Sequence, residues 1–532
     1  MIAFAELLDR LILTPARTAK IRLLTDYFRA APDPERGYAL AAITGGLNIA
    51  SVKPAMLRSL IAERLDETLF ALSYDYVGDL AETIALAWPL MHGANRPPQL
   101  SEIVEGLQGA SRGEGLRMVE SWLDALDESG RWALIKLVTG GLRIGVSARL
   151  AKTALAEFGG KDVTDIEDIW HGLSPPYVSL FHWLEGAGEK PAPAARAMFR
   201  PVMLAHPLAE ADLASITPDA FSAEWKWDGV RVQAASEGGA RRLYSRTGDD
   251  IGRAFPEIVE AMAFDAVIDG ELLVCDAGAE GFAVRPFGDL QKRLNRKAAT
   301  PSLLASHPAF IRAYDLLGEN GEDLRPLPFA ARRVRLETFM QEHRPARFDL
   351  SPLVPFASAA EIDRLRADPP EAAIEGLMLK RKSSAYLAGR PKGEWWKWKR
   401  DPFVVDAVLM YAQRGHGKRS SFYSDYTFGL WTEDGALAPV GKAYFGFTDE
   451  ELKEIDRFVR DNTTERFGPV RAVTATPEKG LVLEVAFEGL NRSTRHKSGV
   501  AMRFPRISRL RWDKLPREAD RLAALEAMLS AE

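Results

Sequence analysis

The sequence holds only one cysteine, Cys275, among its 532 residues. A single cysteine excludes a disulfide framework and any zinc site built from cysteines, and it is typical of a reducing compartment. The sequence also lacks an uncharged apolar run long enough to span a bilayer. Its N-terminus lacks the basic region and long apolar core of a signal peptide. These absences predict a cytoplasmic protein without a membrane segment, associated with the nucleoid if the source is bacterial.

No sign of charge dominates, since 69 Lys and Arg residues stand against 74 Asp and Glu residues, for a net charge of -5. Local clusters, rather than this small net charge, therefore decide whether the protein has an anionic partner. The apolar fraction of 46% and the charged fraction of 27% are those of an ordinary globular protein. A chain of this length is too long for one core and predicts about three domains.

The residue pattern changes twice along the chain. Residues 1–190 carry apolar side chains at helical spacing and predict an all-α domain. After a linker rich in glycine and proline, residues 198–400 mix short β-rich runs with helices and predict an α+β domain. Residues 401–532 carry aromatic and β-branched strands with intervening turns. They predict a small β-barrel, for which the oligonucleotide-binding (OB) fold is the leading candidate.

An unusual lysine, Lys226, stands between Trp225 and Trp227 with a carboxylate two residues away on each side. A lysine enclosed by apolar rings loses solvation, which lowers its pKa. The neutral amine is a nucleophile, whereas the ammonium is not. The stretch therefore predicts a covalent lysine, provided that a phosphate-handling site surrounds it.

A second cluster of lysines follows in residues 395–400, where Lys397 and Lys399 alternate with tryptophans. In a strand these two lysines point to one face of the sheet and the tryptophans to the other. Two ammonium groups on one face repel each other unless an anion, such as a phosphate chain, lies between them. A solvated edge strand is the alternative. Upstream, a short apolar strand begins at Glu375 and ends at Lys380, and we expect its polar ends to meet at one rim.

Three further residues suit a nucleotide site but also fit structural roles. Arg246 lies in a predicted turn and could bind phosphate, or it could be an ordinary surface arginine. Glu271 follows a glycine at a strand and could accept from ribose hydroxyls or bind hydrated Mg²⁺, or it could face water. Tyr314 ends an apolar strand and could stack on a base or belong to the core.

Two basic segments suit a polyanion. The stretch 491–517 is rich in Arg and Lys against the single acid Asp513, which indicates nucleic acid or a triphosphate. Its interleaved apolar residues need burial, so it is not a disordered tail. In the N-terminal region, Arg143 stands among glycines just before a predicted helix, which suits a phosphate contact. The alternative for Arg143 is a tight turn between helices with a solvated arginine.

Taken together, these motifs resemble the ATP-dependent DNA ligases, a branch of the covalent nucleotidyltransferases. The stretch from Lys226 to Arg231 resembles the family's adenylation motif, lysine-any-aspartate-glycine-any-arginine, which capping enzymes and RNA ligases share. Tyr314 stands where many relatives have phenylalanine, and either ring can stack on adenine. The later motifs follow in the family's order: Ser245-Arg246-Thr247-Gly248, Asp269-Gly270-Glu271, Tyr314-Asp315, Glu375-Gly376, Lys397-Trp398-Lys399, Val440-Gly441-Lys442, Arg503-Phe504-Pro505-Arg506 and Arg511-Trp512-Asp513-Lys514.

The resemblance implies a helical DNA-binding domain, an adenylation domain and an OB-fold domain. It implies an enzyme that seals nicks in duplex DNA through lysine-AMP and DNA-adenylate intermediates, with release of AMP and pyrophosphate. The enzyme would serve replication, repair or recombination and would act as a monomer. ATP and Mg²⁺ are the implied cofactors, because the zinc-binding cysteines of the NAD-dependent ligases are absent.

The resemblance also implies a role for each site residue. Lys226 carries AMP, Glu224 reads the adenine amino group and Tyr314 stacks on the ring. The other expected ATP contacts are Arg231, Arg246, Glu271, Lys397, Lys399, Arg503 and Arg506. Glu375 and Glu271 are expected to hold the metal, while Arg143, Arg246 and Lys442 are expected to contact DNA. Lys397 and Lys399, both cationic, are expected to lower the pKa of Lys226 further and leave its amine neutral.

Two alternatives remain at this point. An RNA-end enzyme, either a capping guanylyltransferase or an RNA ligase, shares the adenylation motif, but it does not need a long helical domain to clamp a duplex. A non-catalytic nick-binding protein would have the same fold without the reaction. The intact lysines and acids count against it, because a binding protein has no need for a nucleophile.

Overall fold

The structure is a computed structural model, and the residues that it describes are 1–49, 51–77, 79–89, 96–192, 196–278, 281–294, 296, 298–414, 423–444, 448–493 and 496–531. The chain divides into two compact units. One unit contains residues 1–160, 174–188 and 402–532, and the other contains residues 161–173 and 189–401. Within the described residues, helices are too short or too polar to cross a membrane.

The N-terminal region is helical. Its helices are α1 (Ile2–Leu13), α2 (Arg17–Ala30), α3 (Glu35–Thr44), α4 (Pro54–Ala62), α5 (Glu67–Val77), α6 (Leu80–Ala87), α7 (Leu100–Gln108), α8 (Arg112–Ala125), α9 (Glu128–Thr139), α10 (Ala148–Gly159), α11 (Val163–Trp170) and α12 (Val178–Leu184). Helix α10 begins where the Ser147 side chain accepts a hydrogen bond from the Leu150 amide, and it ends at Gly160 in the left-handed conformation. Helix α2 packs against α10, and α1 packs against α9.

The central region contains two sheets. Its strands are β1 (His206–Pro207), β2 (Phe221–Trp227), β3 (Val230–Glu237), β4 (Ala240–Ser245), β5 (Ala266–Gly278), β6 (Gly281–Val284), β7 (Ala309–Glu319), β8 (Glu322–Asp323), β9 (Phe348–Leu350), β10 (Leu353–Val354), β11 (Ile374–Arg381) and β12 (Trp395–Lys399). One sheet has the order β1-β12-β11-β2-β10, and the other has the order β4-β3-β5-β7-β8, with β6 beside β5 and β9 beside β7. The helices of the region are α13 (Pro256–Ala261), α14 (Phe287–Leu294), α15 (Pro301–Ser306), α16 (Phe329–His343) and α17 (Ala359–Ala367).

The step from β2 to β3 carries the chain from one sheet to the other through Asp228 and Gly229. A side chain at position 229 would place its Cβ 2.6 Å from the carbonyl oxygen of Leu272, so the close passage of the two backbones requires glycine. The turn leaves Lys226 near the end of one sheet and Arg231 near the start of the other.

The C-terminal region is rich in strands. These are β13 (Phe403–Arg414), β14 (Tyr423–Trp431), β15 (Leu437–Ala443), β16 (Thr463–Phe467), β17 (Val470–Val473), β18 (Val482–Phe487), β19 (Gly489–Arg492), β20 (Val500–Arg503) and β21 (Arg506–Arg511), with helices α18 (Asp449–Asp461) and α19 (Leu522–Ala531). Strand β13 pairs with β14, β17 and β18 along its length. A strand with three partners is typical of a sheet that bends back on itself, which fits the predicted OB-type barrel.

The helical, α+β and β-rich regions follow one another in the predicted order, so the predicted fold class is confirmed. The last helix of the first region ends at Leu184, and the last strand of the second ends at Lys399. The domain boundaries at residues 190, 198 and 400 stay predictions.

Candidate active site

Strand pairing brings three lysines and a glutamate to one face of the first sheet. Gly376 of β11 lies opposite Lys226 on one side and opposite Lys399 on the other. Two residues along β11, Met378 lies between Glu224 and Lys397 in the same way. Because side chains alternate along a strand, residues paired in this manner share a face. Lys397 and Lys399 therefore lie on the same face as Lys226.

A β-bulge at the start of β11 turns the Glu375 side chain onto this face. Gly376 has a φ of 144°, and a Cβ there would lie 2.3 Å from the Trp398 carbonyl oxygen. The Glu375 carboxylate accepts a hydrogen bond from Lys226 Nζ, and the same oxygen lies 3.5 Å from Lys399 Nζ. Burial raises the pKa of Glu375, but the two lysines lower this pKa by a larger amount. The pKa of Glu375 therefore lies below its ordinary value. Glu375 is therefore ionised and bridges both lysines.

The pKa of the Lys226 amine is raised in the nucleotide-free protein. Burial lowers its pKa, but the carboxylates of Glu375, Glu271 and Asp228 raise it, and the result lies above the ordinary value of a lysine. The prediction of a neutral Lys226 is therefore wrong for the nucleotide-free protein. The physical reason is the bulge, which sets a carboxylate directly against the amine and cannot be inferred from the order of residues.

The two tryptophans beside Lys226 do not enclose its amine. Trp227 lies on the opposite face, where the Arg312 guanidinium sits 4.1 Å from its ring and Leu273 packs against it. Trp225 packs against two apolar clusters that both include residues of β2. Residues adjacent in a strand point to opposite faces, so a lysine flanked by tryptophans in sequence is not flanked by them in space.

Lys397 is the lysine whose pKa is lowered. Burial contributes most to this shift, and the charges of Lys399, Arg390, Lys226 and Arg246 lower the pKa further. Five cations therefore share one neighbourhood. A bound anion would relieve their mutual repulsion, so the arrangement suits a phosphate group.

Glu224 is buried beside a fourth lysine, Lys380, which is itself buried. Its side chain is 2% exposed, with Lys380 Nζ 2.6 Å from Oε2 and Arg333 Nη1 3.1 Å from Oε1. The Lys380 ammonium also lies 4.5 Å from the centre of the Tyr314 ring and donates to the Tyr314 carbonyl at 3.3 Å. Lys380 therefore connects Glu224 and Tyr314, the two residues expected at the adenine base.

Arg231 is fixed by the protein itself. Its Nε and Nη2 donate to the two oxygens of Asp269 at 3.0 and 2.5 Å, and Nη1 donates to the Met203 carbonyl at 2.6 Å. Tyr386 accepts from Arg231 Nη2 at 2.9 Å and donates to Asp269 at 2.6 Å. Because Asp269 is fully buried, this network holds the guanidinium in one orientation.

Glu271 lies directly opposite Arg231 in the β3–β5 pair. Burial raises the pKa of Glu271 to about 8, against the opposing charges of Lys226 and Arg231. The Glu271 carboxyl therefore keeps its proton to a higher pH than an ordinary glutamate in the nucleotide-free protein.

The carboxylates fit a Mg²⁺ ion that is shared with a nucleotide. The described part of the chain contains no group of three or more His, Cys, Asp or Glu side chains that could hold a metal on its own. Mg²⁺ usually binds through one or two carboxylates together with substrate phosphates. Glu375, ionised and partly exposed, and Glu271 beside it can supply those one or two ligands.

Arg246 is exposed in the turn that follows β4. The turn is closed by hydrogen bonds from the Gly248 amide to the Ser245 carbonyl at 3.0 Å and from the Ser245 amide to the Asp249 carbonyl at 2.8 Å. Gly248 has a φ of 88°, a conformation that favours glycine. The turn presents Arg246 to solvent close enough for its charge to act on Lys397.

The residues of the β-rich region that are predicted to bind DNA or ATP lie on three different strands. Lys442 on β15 donates to the Gln413 side chain at 3.0 Å and lies 3.3 Å from Asp425. Arg506 at the start of β21 lies 3.7 Å from Glu488, and Arg503 ends β20.

The charge of the basic stretch 491–517 is partly compensated within the same region. Asp406 on β13 pairs with both Arg511 and Lys514, and Glu484 lies 3.8 Å from Arg511. These acids come from neighbouring strands. The one-sided charge read from the sequence therefore overstates the positive charge of this surface.

Arg143 is exposed in the loop between α9 and α10. Lys20, which is buried, holds this loop by donating to the carbonyls of Ile144 and Gly145, each at 2.9 Å. The buried side chain of Ile144 anchors the loop from within. The backbone that carries Arg143 is therefore held in one conformation.

Sequence reasoning missed several residues that contact the predicted site: Arg333, Tyr386, Arg390 and Lys20. A signal existed for Lys20, because Lys20, Leu24 and Phe28 are spaced at i, i+4 and i+8 and share the apolar face of α2. A lysine on such a face is buried with a specific partner. The other three lie in loops or on a helix without a distinguishing pattern.

Comparison with known proteins shows the family to which the chain is similar. The family described as "ATP dependent DNA ligase domain" matches residues 202–399, and "ATP dependent DNA ligase C terminal region" matches residues 419–514. A probable DNA ligase of Koribacter versatilis is 34% identical over 425 residues, covering 75% of this chain and 72% of the relative. A probable DNA ligase of Opitutus terrae is 30% identical and is covered over 62% of its length by 99% of this chain. The DNA ligase of Thermococcus fumicolans is 28% identical, with 98% of this chain and 97% of the relative covered.

Among solved structures, the one named Pmar-Lig_PreS3 has a TM-score of 0.61 and 15% identity, covering 96% of this chain and 99% of its own. That likeness concerns the fold alone. The fold and the lysine-rich site define a covalent nucleotidyltransferase. The chain belongs to the ATP-dependent DNA ligase family, whose enzymes seal nicks in DNA with ATP and Mg²⁺.

Proposed function

We propose that Lys226 is the residue that carries AMP in the nick-sealing reaction. The observation that supports this assignment is the contact of Lys226 with Glu375 on a face that also carries Lys397 and Lys399. The three lysines can bind a phosphate chain. The bridging carboxylate can accept a proton from the Lys226 amine.

In the first step the Lys226 amine attacks the α-phosphorus of ATP. The N–P bond forms, the bond from that phosphorus to the pyrophosphate oxygen breaks, and pyrophosphate leaves. The ammonium loses its proton first, along its hydrogen bond to Glu375 and from there to solvent. Lys397 and Lys399 stabilise the negative charge on the phosphate oxygens in the transition state. Glu375 and Glu271 would hold Mg²⁺ together with ATP, and the ion would offset negative charge on the phosphates.

The remaining nucleotide contacts follow the family resemblance. Glu224 accepts a hydrogen bond from the adenine amino group, and Tyr314 stacks on the ring. Arg231 and Glu271 hold the ribose side, and Arg231 is held in place for this by Asp269. Arg503 and Arg506 orient the leaving pyrophosphate.

In the second step an oxygen of the 5′-phosphate at the nick attacks the phosphorus of lysine-AMP. The N–P bond breaks, the Lys226 amine regains a proton, and AMP is now joined to the DNA. Arg246 contacts that 5′-phosphate. In the third step the adjacent 3′-hydroxyl loses its proton and attacks the 5′-phosphorus, and AMP leaves. Every step is a displacement at phosphorus, so one group of cations serves all three.

We further propose that Arg143 and Lys442 bind the DNA backbone and that the protein acts as a monomer in the cytoplasm, in replication, repair or recombination. A nick presents no unusual base, so it is recognised through backbone and shape. Binding is therefore expected to weaken steeply with salt and to depend little on sequence.

The test is incubation with α-labelled ATP and Mg²⁺, followed by a denaturing gel. The wild-type protein is expected to carry label, and Lys226→Ala is expected to carry none. Lys292→Ala, which removes an exposed lysine from α14, is the matched control and keeps the label. Label that survives in Lys226→Ala contradicts the assignment of the nucleophile. Stronger labelling by α-labelled GTP than by ATP supports the RNA-end enzyme instead.

A further inference from the structure

The carboxylate of Glu224 has one cation on each oxygen, and the two cations come from different elements. Lys380 of β11 reaches Oε2 at 2.6 Å. Arg333 of α16 reaches Oε1 at 3.1 Å. Arg333 lies outside every motif of the family resemblance, and it follows Glu224 by 109 residues in the sequence.

Both cations are themselves held. The Nε of Arg333 donates to Glu337, one turn further along α16, at 2.7 Å. The Lys380 ammonium lies within 4.9 Å of three ring centres, those of Tyr314, Phe329 and Trp395. A carboxylate gripped at both oxygens by fixed cations keeps one orientation.

The two cations also compensate a buried charge. An ionised carboxylate in the interior is costly unless it is paired and hydrogen-bonded. Removal of one partner leaves the remaining group poorly compensated, so the carboxylate turns away or becomes neutral. An ionised carboxylate only accepts hydrogen bonds, whereas a neutral carboxyl also donates one.

We infer that Arg333 is a positioning residue that sets the choice between adenine and guanine nucleotides through Glu224. This inference rests on the proposed function, in which Glu224 meets the amino group of adenine. Guanine presents a carbonyl oxygen where adenine presents that amino group. A fixed acceptor facing the carbonyl leaves both groups unpaired and disfavours GTP.

Arg333 tests the inference more cleanly than Lys380. Lys380 also contacts the Tyr314 ring and carbonyl, so its removal would disturb stacking as well as Glu224. Among the described residues, the polar contacts of Arg333 are with Glu224 and Glu337. A change at Arg333 therefore reaches the nucleotide through Glu224.

The experiment measures kcat/KM for self-labelling with α-labelled ATP and with α-labelled GTP, in the wild type and in Arg333→Met. The ATP/GTP ratio is expected to fall about tenfold or more, mainly because KM for ATP rises. Arg333→Lys keeps a cation and is expected to restore most of the ratio. Arg335→Met, on the same helix but paired with Glu319 and Glu322 at the surface, is the matched control and leaves the ratio unchanged.

A double-mutant cycle separates positioning from general damage. In a Glu224→Gln background, Arg333→Met is expected to change the ratio little, because the group through which Arg333 acts is already altered. An unchanged ratio in Arg333→Met, or an equal fall in both backgrounds, overturns the inference. If Arg333→Met does not fold, Glu337→Gln decides, since it releases the outer side of Arg333: a smaller fall supports the inference and no fall overturns it. Failure of the proposed function looks different, because label is then absent from the wild type or survives in Lys226→Ala.

Discussion

Glu375 accepts a hydrogen bond from Lys226 across two paired strands, and it does so from a bulge rather than from a regular strand position. In a regular strand its side chain would point to the face opposite Lys226, because β11 pairs Gly376 with Lys226. Lys226, the proposed nucleophile, therefore rests as a paired ammonium. Its activation requires the loss of a proton as well as the arrival of ATP.

Replacing Glu375 with glutamine is expected to shift the pH dependence of self-adenylation. Glu375 is the carboxylate that raises the pKa of Lys226 most, so without it the pKa of Lys226 falls. A lower pKa frees the amine at lower pH. The rising limb of kcat/KM for ATP should therefore move to lower pH in Glu375→Gln, although the maximal rate falls. Glu371→Gln, an exposed change just before β11, is the control. A rising limb at the wild-type position would contradict the role of the pair.

Replacing Glu271 with glutamine is expected to stabilise the protein at alkaline pH. The pKa of Glu271 is about 8 in the folded protein, against an ordinary value of 4.5. Between these values the folded protein binds a proton that the unfolded chain does not, so this group costs stability as pH rises. Glu271→Gln should match the wild type near pH 4.5 and gain about 4 kcal/mol at pH 8. Thermal unfolding at both pH values measures the difference, with the exposed Glu260→Gln as control. An equal midpoint at pH 8 argues against a neutral Glu271.

Replacing Gly376 with alanine is expected to destabilise the central region and to abolish self-adenylation. The added methyl group would lie 2.3 Å from the Trp398 carbonyl oxygen and 2.7 Å from the Lys399 Cα, on a backbone with a φ of 144°. Relief of this clash would move the bulge and take Glu375 away from Lys226. The loss of stability should be about 3 kcal/mol. Gly113→Ala in α8 is the comparison, since a methyl group there meets nothing within 4 Å. Full activity in Gly376→Ala would show that the bulge is dispensable.

Replacing Lys20 with methionine is expected to weaken binding of nicked duplex DNA without affecting self-adenylation. Lys20 holds the loop that carries Arg143 through two backbone carbonyls. Loss of this support should lower the dependence of log Kd on log salt by about one phosphate contact, as should Arg143→Ala. The double variant should bind no worse than the single variants. Additive losses would show that Lys20 does not act through Arg143.

Replacing Arg503 or Arg506 with alanine is expected to impair self-adenylation more than the sealing of a pre-adenylated nick. Their assigned role is to orient pyrophosphate, which leaves in the first step only. A loss of about tenfold or more in label incorporation is expected, because a charged contact to a leaving group is removed. Arg509→Ala, exposed on β21, tests whether loss of any nearby positive charge has the same effect. Equal losses in the two assays would refute the separate role.

Local alternation could be predicted from the sequence wherever the strand is regular. Lys397 and Lys399 share a face because two residues separate them, and this follows from strand geometry alone. The same rule directs Trp225 and Trp227 to the face opposite the Lys226 amine. The bulge at Glu375 breaks the alternation and leaves no local trace except the glycine that follows it.

Contacts between residues that are far apart in the chain could not be predicted from the sequence. Arg333 and Glu224 are 109 residues apart, and their contact depends on how α16 lies against the sheet. The compensation of Arg511 and Lys514 by Asp406 likewise depends on the pairing of distant strands. Charge counted along a segment therefore predicted the presence of cations but not which of them are available to a ligand.

The ion pair of Lys226 and Glu375 has a consequence for the chemical safety of the enzyme. A free amine that solvent can reach reacts with cyanate and with activated esters, and each such reaction would inactivate the enzyme. An ammonium does not react with these electrophiles. By pairing with Lys226, the proposed nucleophile, Glu375 keeps the amine in the unreactive ammonium form until a nucleotide arrives.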